Sequence, residues 1–172
     1  MPTAMISANN FVLLLMLKTE RMQPENKPFQ LVPIGTIETP FDDKEWIPRQ
    51  GRYDPTAKGV AIVKPEFKQG LVSLELCSYC WLLFYFDRSK SFSLLQVPPK
   101  DNKPHGVFSI RSPKRPNAIG MTVVKIDRVE NNKIYFTGAD MINGTPLIDI
   151  KPYVEEIDSV PGAGNGWISS KI

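Results

Sequence analysis

The chain is expected to fold as a mainly β protein, a single-sheet antiparallel β-barrel with few short helices. Three observations lead there. Proline occurs 16 times in 172 residues, nearly double the roughly 5% of average usage, which breaks long helices and suits strands joined by rigid turns. The apolar runs are short, six to eight in number, and are punctuated by Pro, Gly and Asn. None alternates with a helical pattern in the manner of a βαβ unit, so the spacing suits a closed or rolled antiparallel sheet. With 42% hydrophobic and 23% charged residues, the composition is that of an ordinary globular domain. A chain of this length buries about two-thirds of its unfolded surface, enough for one core. A helical bundle is excluded.

Residues 1–28 read as an N-terminal extension. Their apolar run, 11–17, is seven residues long, far short of the roughly 20 that span a bilayer. The first basic residue, Lys18, follows the run instead of preceding it, and no small-residue cleavage pattern comes after. Residues 1–21 are then an amphipathic packing segment or an extension upstream of a start at Met22. No membrane association is expected, and the cytoplasm is the expected compartment.

Residues 29–158 should form the barrel domain and 159–172 a C-terminal tail. Residues 31–37 read as a strand and 42–58 as a long surface loop, a length that is usually functional or disordered. Residues 59–63 are a β-rich run, and 70–76 suit a strand or a short helix. Residues 81–86 are a six-residue apolar run with four aromatic side chains, read as a central strand buried on both faces. Residues 107–110 are expected to be extended. The segments 122–129 and 133–137 flank Asn131 and Asn132, a hairpin signal because asparagine tolerates positive φ. Residues 147–150 form the last strand.

The inventory limits the chemistry. Cys77 and Cys80 have C-x-x-C spacing, but they sit in an apolar run with no helix start, which favours buried, inert thiols. His105 is the only histidine, too little for a four-ligand zinc site or a His-based triad, so no metal is expected. There is no G-x-G-x-x-G, P-loop or G-x-S-x-G motif.

Three segments could carry chemistry. Arg111, Lys114 and Arg115 lie within five residues and are stiffened by Pro113 and Pro116. Fixed guanidinium groups suit carboxylate or phosphate, although the composition fits a solvated basic loop equally well. Asn143-Gly144 is a turn dipeptide, and beyond it Asp149, Lys151 and Tyr153 share one face of an extended chain. That trio could handle protons, while spacing alone favours a surface ion pair beside a half-buried tyrosine. Pro48-Arg49-Gln50 offers planar donors in the long loop, weak evidence taken singly.

In this order, PIGTI (33–37), IPRQ (47–50), WLLF (81–84), FSIRSPKRPNAIG (108–120) and GTPLIDIKPY (144–153) resemble the TrmO/TsaA-like family. The resemblance covers roughly residues 30–155. It implies a β-barrel methyltransferase that binds S-adenosylmethionine without a Rossmann domain, acts as a homodimer, and methylates N6 of threonylcarbamoyladenosine beside the tRNA anticodon. Pro48, Arg49, Gln50, Arg111, Met121, Gly144, Thr145 and Pro146 match the family's cofactor segments, with Asn143 where aspartate is usual. Asp87 and Arg88 stand where the family has a histidine and often an acidic residue. Ala118 replaces a frequent proline, which should loosen its loop. Asp149, Lys151 and Tyr153 become the expected catalytic set, and Arg52, Lys114, Arg115 and Asn117 the expected tRNA contacts. A non-catalytic RNA-binding barrel and a methyltransferase with another acceptor are the competing readings.

Overall fold

The computed structural model describes residues 30–42, 47–99 and 101–170, and the extension 1–28 with its apolar run lies outside them. Eight strands form among the described residues: β1 (Gly35–Glu38), β2 (Lys58–Val63), β3 (Tyr79–Tyr85), β4 (Leu95–Gln96), β5 (His105–Gly106), β6 (Ile119–Glu130), β7 (Lys133–Thr137) and β8 (Thr145–Pro152). Six of them close a barrel in the order β1-β2-β7-β6-β3-β8, every pair antiparallel, while β4 and β5 make a separate two-stranded arm.

Alternation of apolar and polar residues sets which side chains turn inward. Ile37, Ala61, Val63, Leu82, Ile134 and Phe136 are among those that fill the barrel. Burying side chains of this kind contributes about 1.5–3 kcal/mol each, which is what stabilises the closed sheet. The bore is narrow, and two cross-strand pairs set its width: Gly59 faces Phe136 and Gly120 faces Phe84. A Cβ on either glycine would lie within 2.4 Å of the facing ring, so each glycine makes the space its phenylalanine occupies. The β6–β7 hairpin turns at Asn131, whose φ of 57° is the positive value expected there, and the Asn132 amide donates to Val63 O at 2.6 Å.

Several sequence expectations need correction. The aromatic strand is not buried on both faces. Cys80, Leu82 and Phe84 point into the core, but Tyr79, Trp81, Leu83 and Tyr85 line the outer wall, Trp81 and Leu83 half-buried and Tyr79 and Tyr85 exposed. In a single-layer barrel every strand has one inner face, so a continuous apolar run leaves alternate side chains on the outer wall. Residues 107–110 are not extended: Val107–Ser109 is a 3₁₀ turn. The ambiguous 70–76 region is 3₁₀ as well, within Pro65–Leu71 and Leu74–Leu76. The loop over 42–58 is not all surface, since Gly51 and Ala57 are buried within it. Ala118 sits at φ 45°, a left-handed conformation that proline, fixed near −65°, cannot adopt.

No helix among the described residues is long and apolar enough to cross a membrane. Burial pushes the Cys80 thiol up to about 12, leaving it a packing group, and Cys77 is also a free thiol.

Candidate active site at one rim of the barrel

Antiparallel order places three connections at the same end of the barrel. β1, β3 and β7 finish where β2, β6 and β8 begin, so loops 39–57, 86–118 and 138–144 all open on one rim. These loops carry the 48–50 segment, Arg111 and the Asn143-Gly144 turn.

Asp140, in the 138–144 loop, ties that loop to the first loop and to the start of β6. Its Oδ2 accepts hydrogen bonds from the Gly51 N–H at 2.9 Å and the Thr122 hydroxyl at 3.1 Å. Its Oδ1 is buried with no hydrogen-bond partner among the described residues. Burial holds the Asp140 carboxyl above the usual carboxylate range, opposed by those two hydrogen bonds and by the Arg111 charge. Gly51 allows the approach, because a Cβ there would lie 2.0 Å from Gly138 O. Pro48, Arg49 and Gln50 are thereby fixed beside the start of β6. Arg111 reaches the same place, donating from Nη2 to Met121 O at 3.4 Å. The Met121 side chain points outward and is 51% exposed.

The third loop is held by Arg88, whose guanidinium donates to Asp42 O at 3.3 Å and to Asn143 O at 2.9 Å. Asn143 accepts from the Thr39 N–H at 3.3 Å and donates to Asp42 Oδ1 at 3.1 Å. An aspartate could not make that donation, so Asp42 accounts for asparagine at this position. Gly144 adopts φ 79°, donates its N–H to Ile37 O at 2.8 Å, and lies without a side chain beside Arg88. Asp87 lies in the turn that follows β3, its N–H bonded to Tyr85 O at 2.9 Å. Thr145 is buried, its hydroxyl donating to Ile142 O at 2.6 Å, and Pro146 pairs with Thr36 on β1. These two shape the turn and offer no free side-chain donor to a ligand.

The catalytic set predicted from sequence lies on the outer wall, one step away from the rim. Register puts Met121, Leu83 and Asp149 in one row across β6, β3 and β8. Asp149 and Lys151 form an ion pair at 2.8 Å, and the Asp149 hydrogen bond and charge hold the Lys151 ammonium above its usual range. Tyr153 packs instead against Tyr79 and Trp81, with ring centroids 6.4 and 6.0 Å away. Four residues along a strand separate it from Asp149, about 13 Å, so the three side chains do not converge on a single atom.

Among the predicted tRNA contacts, Arg52, Lys114 and Asn117 are exposed. Arg115 is engaged within its own loop, donating from Nη1 to Val107 O at 2.9 Å and to Ile110 O at 2.8 Å. Sequence reasoning missed Asp140. Its only local signal is the preceding Gly138, at φ 101°, which marks a sharp turn out of β7.

Comparison with known proteins places these features. A family model described as the tRNA-methyltransferase O N-terminal domain matches residues 36–159. A probable S-adenosyl-L-methionine-binding protein of Archaeoglobus fulgidus is 41% identical over 138 residues, covering 80% of this chain and 37% of the relative. A human tRNA (adenine(37)-N6)-methyltransferase is 40% identical over 134 residues, covering 74% of this chain and 30% of the relative. The crystal structure of TrmO from Pseudomonas aeruginosa superposes with a TM-score of 0.69 at 37% identity, covering 81% of this chain and 62% of that one. The chain therefore spans less than two thirds of each of these three proteins.

Proposed function

Because the chain belongs to the tRNA-methyltransferase O family, we propose that it is an S-adenosylmethionine-dependent methyltransferase acting on N6 of threonylcarbamoyladenosine next to the tRNA anticodon. The observation that carries this reading is the meeting of Arg111, Met121 and the 48–51 loop around Asp140. These residues fit the cofactor. Arg111 and Arg49 supply guanidinium groups for its carboxylate, the exposed Met121 an apolar contact, and Gly144, which has no side chain, a close approach. Gln50, Asn143, Arg88 and Asp87 complete the holding set, with Thr145 and Pro146 shaping the turn.

When bound, the cofactor supplies a sulfonium-activated methyl group. The protein's task is alignment, worth roughly 7–11 kcal/mol when the reacting atoms are held in line. Arg111 and the 48–51 loop hold one reactant against the rim. In this reading Asp149, which shares a row with Met121, takes the proton from the acceptor nitrogen, and its ion pair with Lys151 orients it. Tyr153 then supports the wall through its ring contacts. Arg52, Lys114, Arg115 and Asn117 face the tRNA side, with Arg115 acting through its loop.

The domain is assigned to residues 29–158 and the compartment to the cytoplasm, where its tRNA is found. A homodimer would cover the outer wall, where Tyr85, Ile119 and Met121 are 41%, 40% and 51% exposed on adjacent strands. The test is nucleoside analysis of tRNA after incubation with methyl-labelled S-adenosylmethionine. Label in methylated threonylcarbamoyladenosine is expected. Label in another nucleoside reassigns the acceptor, and tRNA binding without transfer leaves a non-catalytic RNA-binding barrel.

A further inference from the structure

The chain's charge is concentrated in one segment. Residues 88–117 carry seven Lys and Arg against the single Asp101, a formal +6 in a chain whose total is +3, which leaves −3 for the remainder. This segment is the rim loop that includes the β4–β5 arm, and its parts are tied together. Gln96 Nε2 donates to Lys114 O at 2.8 Å, Ser112 Oγ to Gln96 Oε1 at 2.7 Å, and Ser89 Oγ to Pro113 O at 3.1 Å. The Val107 N–H donates to Leu94 O at 2.9 Å. The cations other than Lys100, which lies outside the described residues, are thus mounted on a folded arm.

Phe108 belongs to that basic segment and is 77% exposed. Its flanking residues Val107 and Ile110 are buried and fix the 3₁₀ turn beneath it. The Arg115 guanidinium, pinned by the carbonyls of Val107 and Ile110, stands 5.8 Å from the ring centroid. An aromatic ring anchored from below, backed by a fixed cation and carried on a Lys- and Arg-rich segment has the chemistry of a single-stranded nucleic-acid platform. Cations take the phosphates and the ring takes a base.

We infer that Phe108 is a nucleobase-stacking anchor through which the 88–117 arm grips the unpaired loop of its RNA. This rests on the proposed tRNA reading and deepens it, because it names the contact that fixes the loop beside the rim. Charge separates this occupant from a second copy of the chain, since two arms of formal +6 repel each other.

The test is fluorescence anisotropy with a labelled anticodon stem–loop bearing adenosine 37, run across a salt series on wild type, Phe108→Ala and Phe108→Trp. Phe108→Ala should weaken binding roughly 5- to 150-fold, as losing one base–aromatic stack does. Its salt slope should not change, because no phosphate contact is removed, and Phe108→Trp should bind like wild type. S-adenosylmethionine affinity, melting temperature and mass by light scattering should be the same for all three. Wild-type affinity in Phe108→Ala overturns the inference, as does a tryptophan variant as weak as alanine. A changed mass with unchanged RNA affinity also overturns it, and assigns the ring to contact between copies. Phe108-dependent binding by a wild-type protein that transfers no methyl group to tRNA would instead sink the catalytic reading and leave the platform standing.

Discussion

At Asp140 one carboxylate does two jobs that pull against each other. It holds the Gly51 N–H and the Thr122 hydroxyl, and it carries its charge where burial opposes it. A carboxyl raised in the folded state binds more protons folded than unfolded, so its contribution to stability falls as pH rises past the ordinary value of 3.8. Asp140→Asn keeps an acceptor and removes the titration. Chemical denaturation of the two proteins should therefore show wild type losing stability relative to the variant as pH climbs from below 4 towards neutrality. Asp140→Ala strands both donors and should cost roughly 1–3 kcal/mol for each one left buried and unpaired. Arg111→Lys keeps the charge but loses the planar fork, so its KM for S-adenosylmethionine should rise about 10- to 100-fold. The sequence marked Arg111, because clustered cations between prolines are visible in one dimension. Asp140 was invisible, because its role depends on Gly51 meeting Gly138 across 87 residues of chain.

The elements that were easiest to read are those whose signal is local. The β6–β7 hairpin needed only two asparagines between β-rich runs, and β2 only its β-rich run stopped by Lys64-Pro65. The aromatic β3 was misread because a one-letter run cannot distinguish two buried faces from one buried face and one partly exposed apolar face. Residues 107–109 were misread because Val-Phe-Ser-Ile is β-favouring in composition, whereas burial at Val107 and Ile110, three apart, follows the 3₁₀ turn. Of the site, the three rim loops were each legible as motifs. Their convergence was not, since it follows from barrel order, which pairs β1 with β8 and β3 with β6. The 48–51 loop gives a test at this scale. Gly51→Ala puts a methyl group into the Gly138 carbonyl, so the loop must lift off Asp140. S-adenosylmethionine affinity should fall by at least 10-fold while far-ultraviolet circular dichroism keeps its β signature. The same substitution at Gly106, where a Cβ meets nothing within 4 Å, should leave affinity unchanged.

Across the whole molecule, a weakly acidic barrel presents a strongly basic arm beside a rim of guanidinium groups. The modest total of +3 conceals this division, which a local count reveals. If about four phosphates are neutralised, RNA affinity should fall roughly 50- to 150-fold between 50 and 200 mM salt. A flat response in a filter-binding series would argue against a polyanion on the arm. The most direct measurement of the account is calorimetric titration of S-adenosylmethionine into wild type, Arg111→Ala and Arg128→Ala, the last altering a cation that stacks on Tyr135 3.4 Å from its ring centroid. Saturable binding by wild type and Arg128→Ala, weakened 10-fold or more in Arg111→Ala, is the result the account predicts. No binding by wild type, or equal binding by all three, would contradict it.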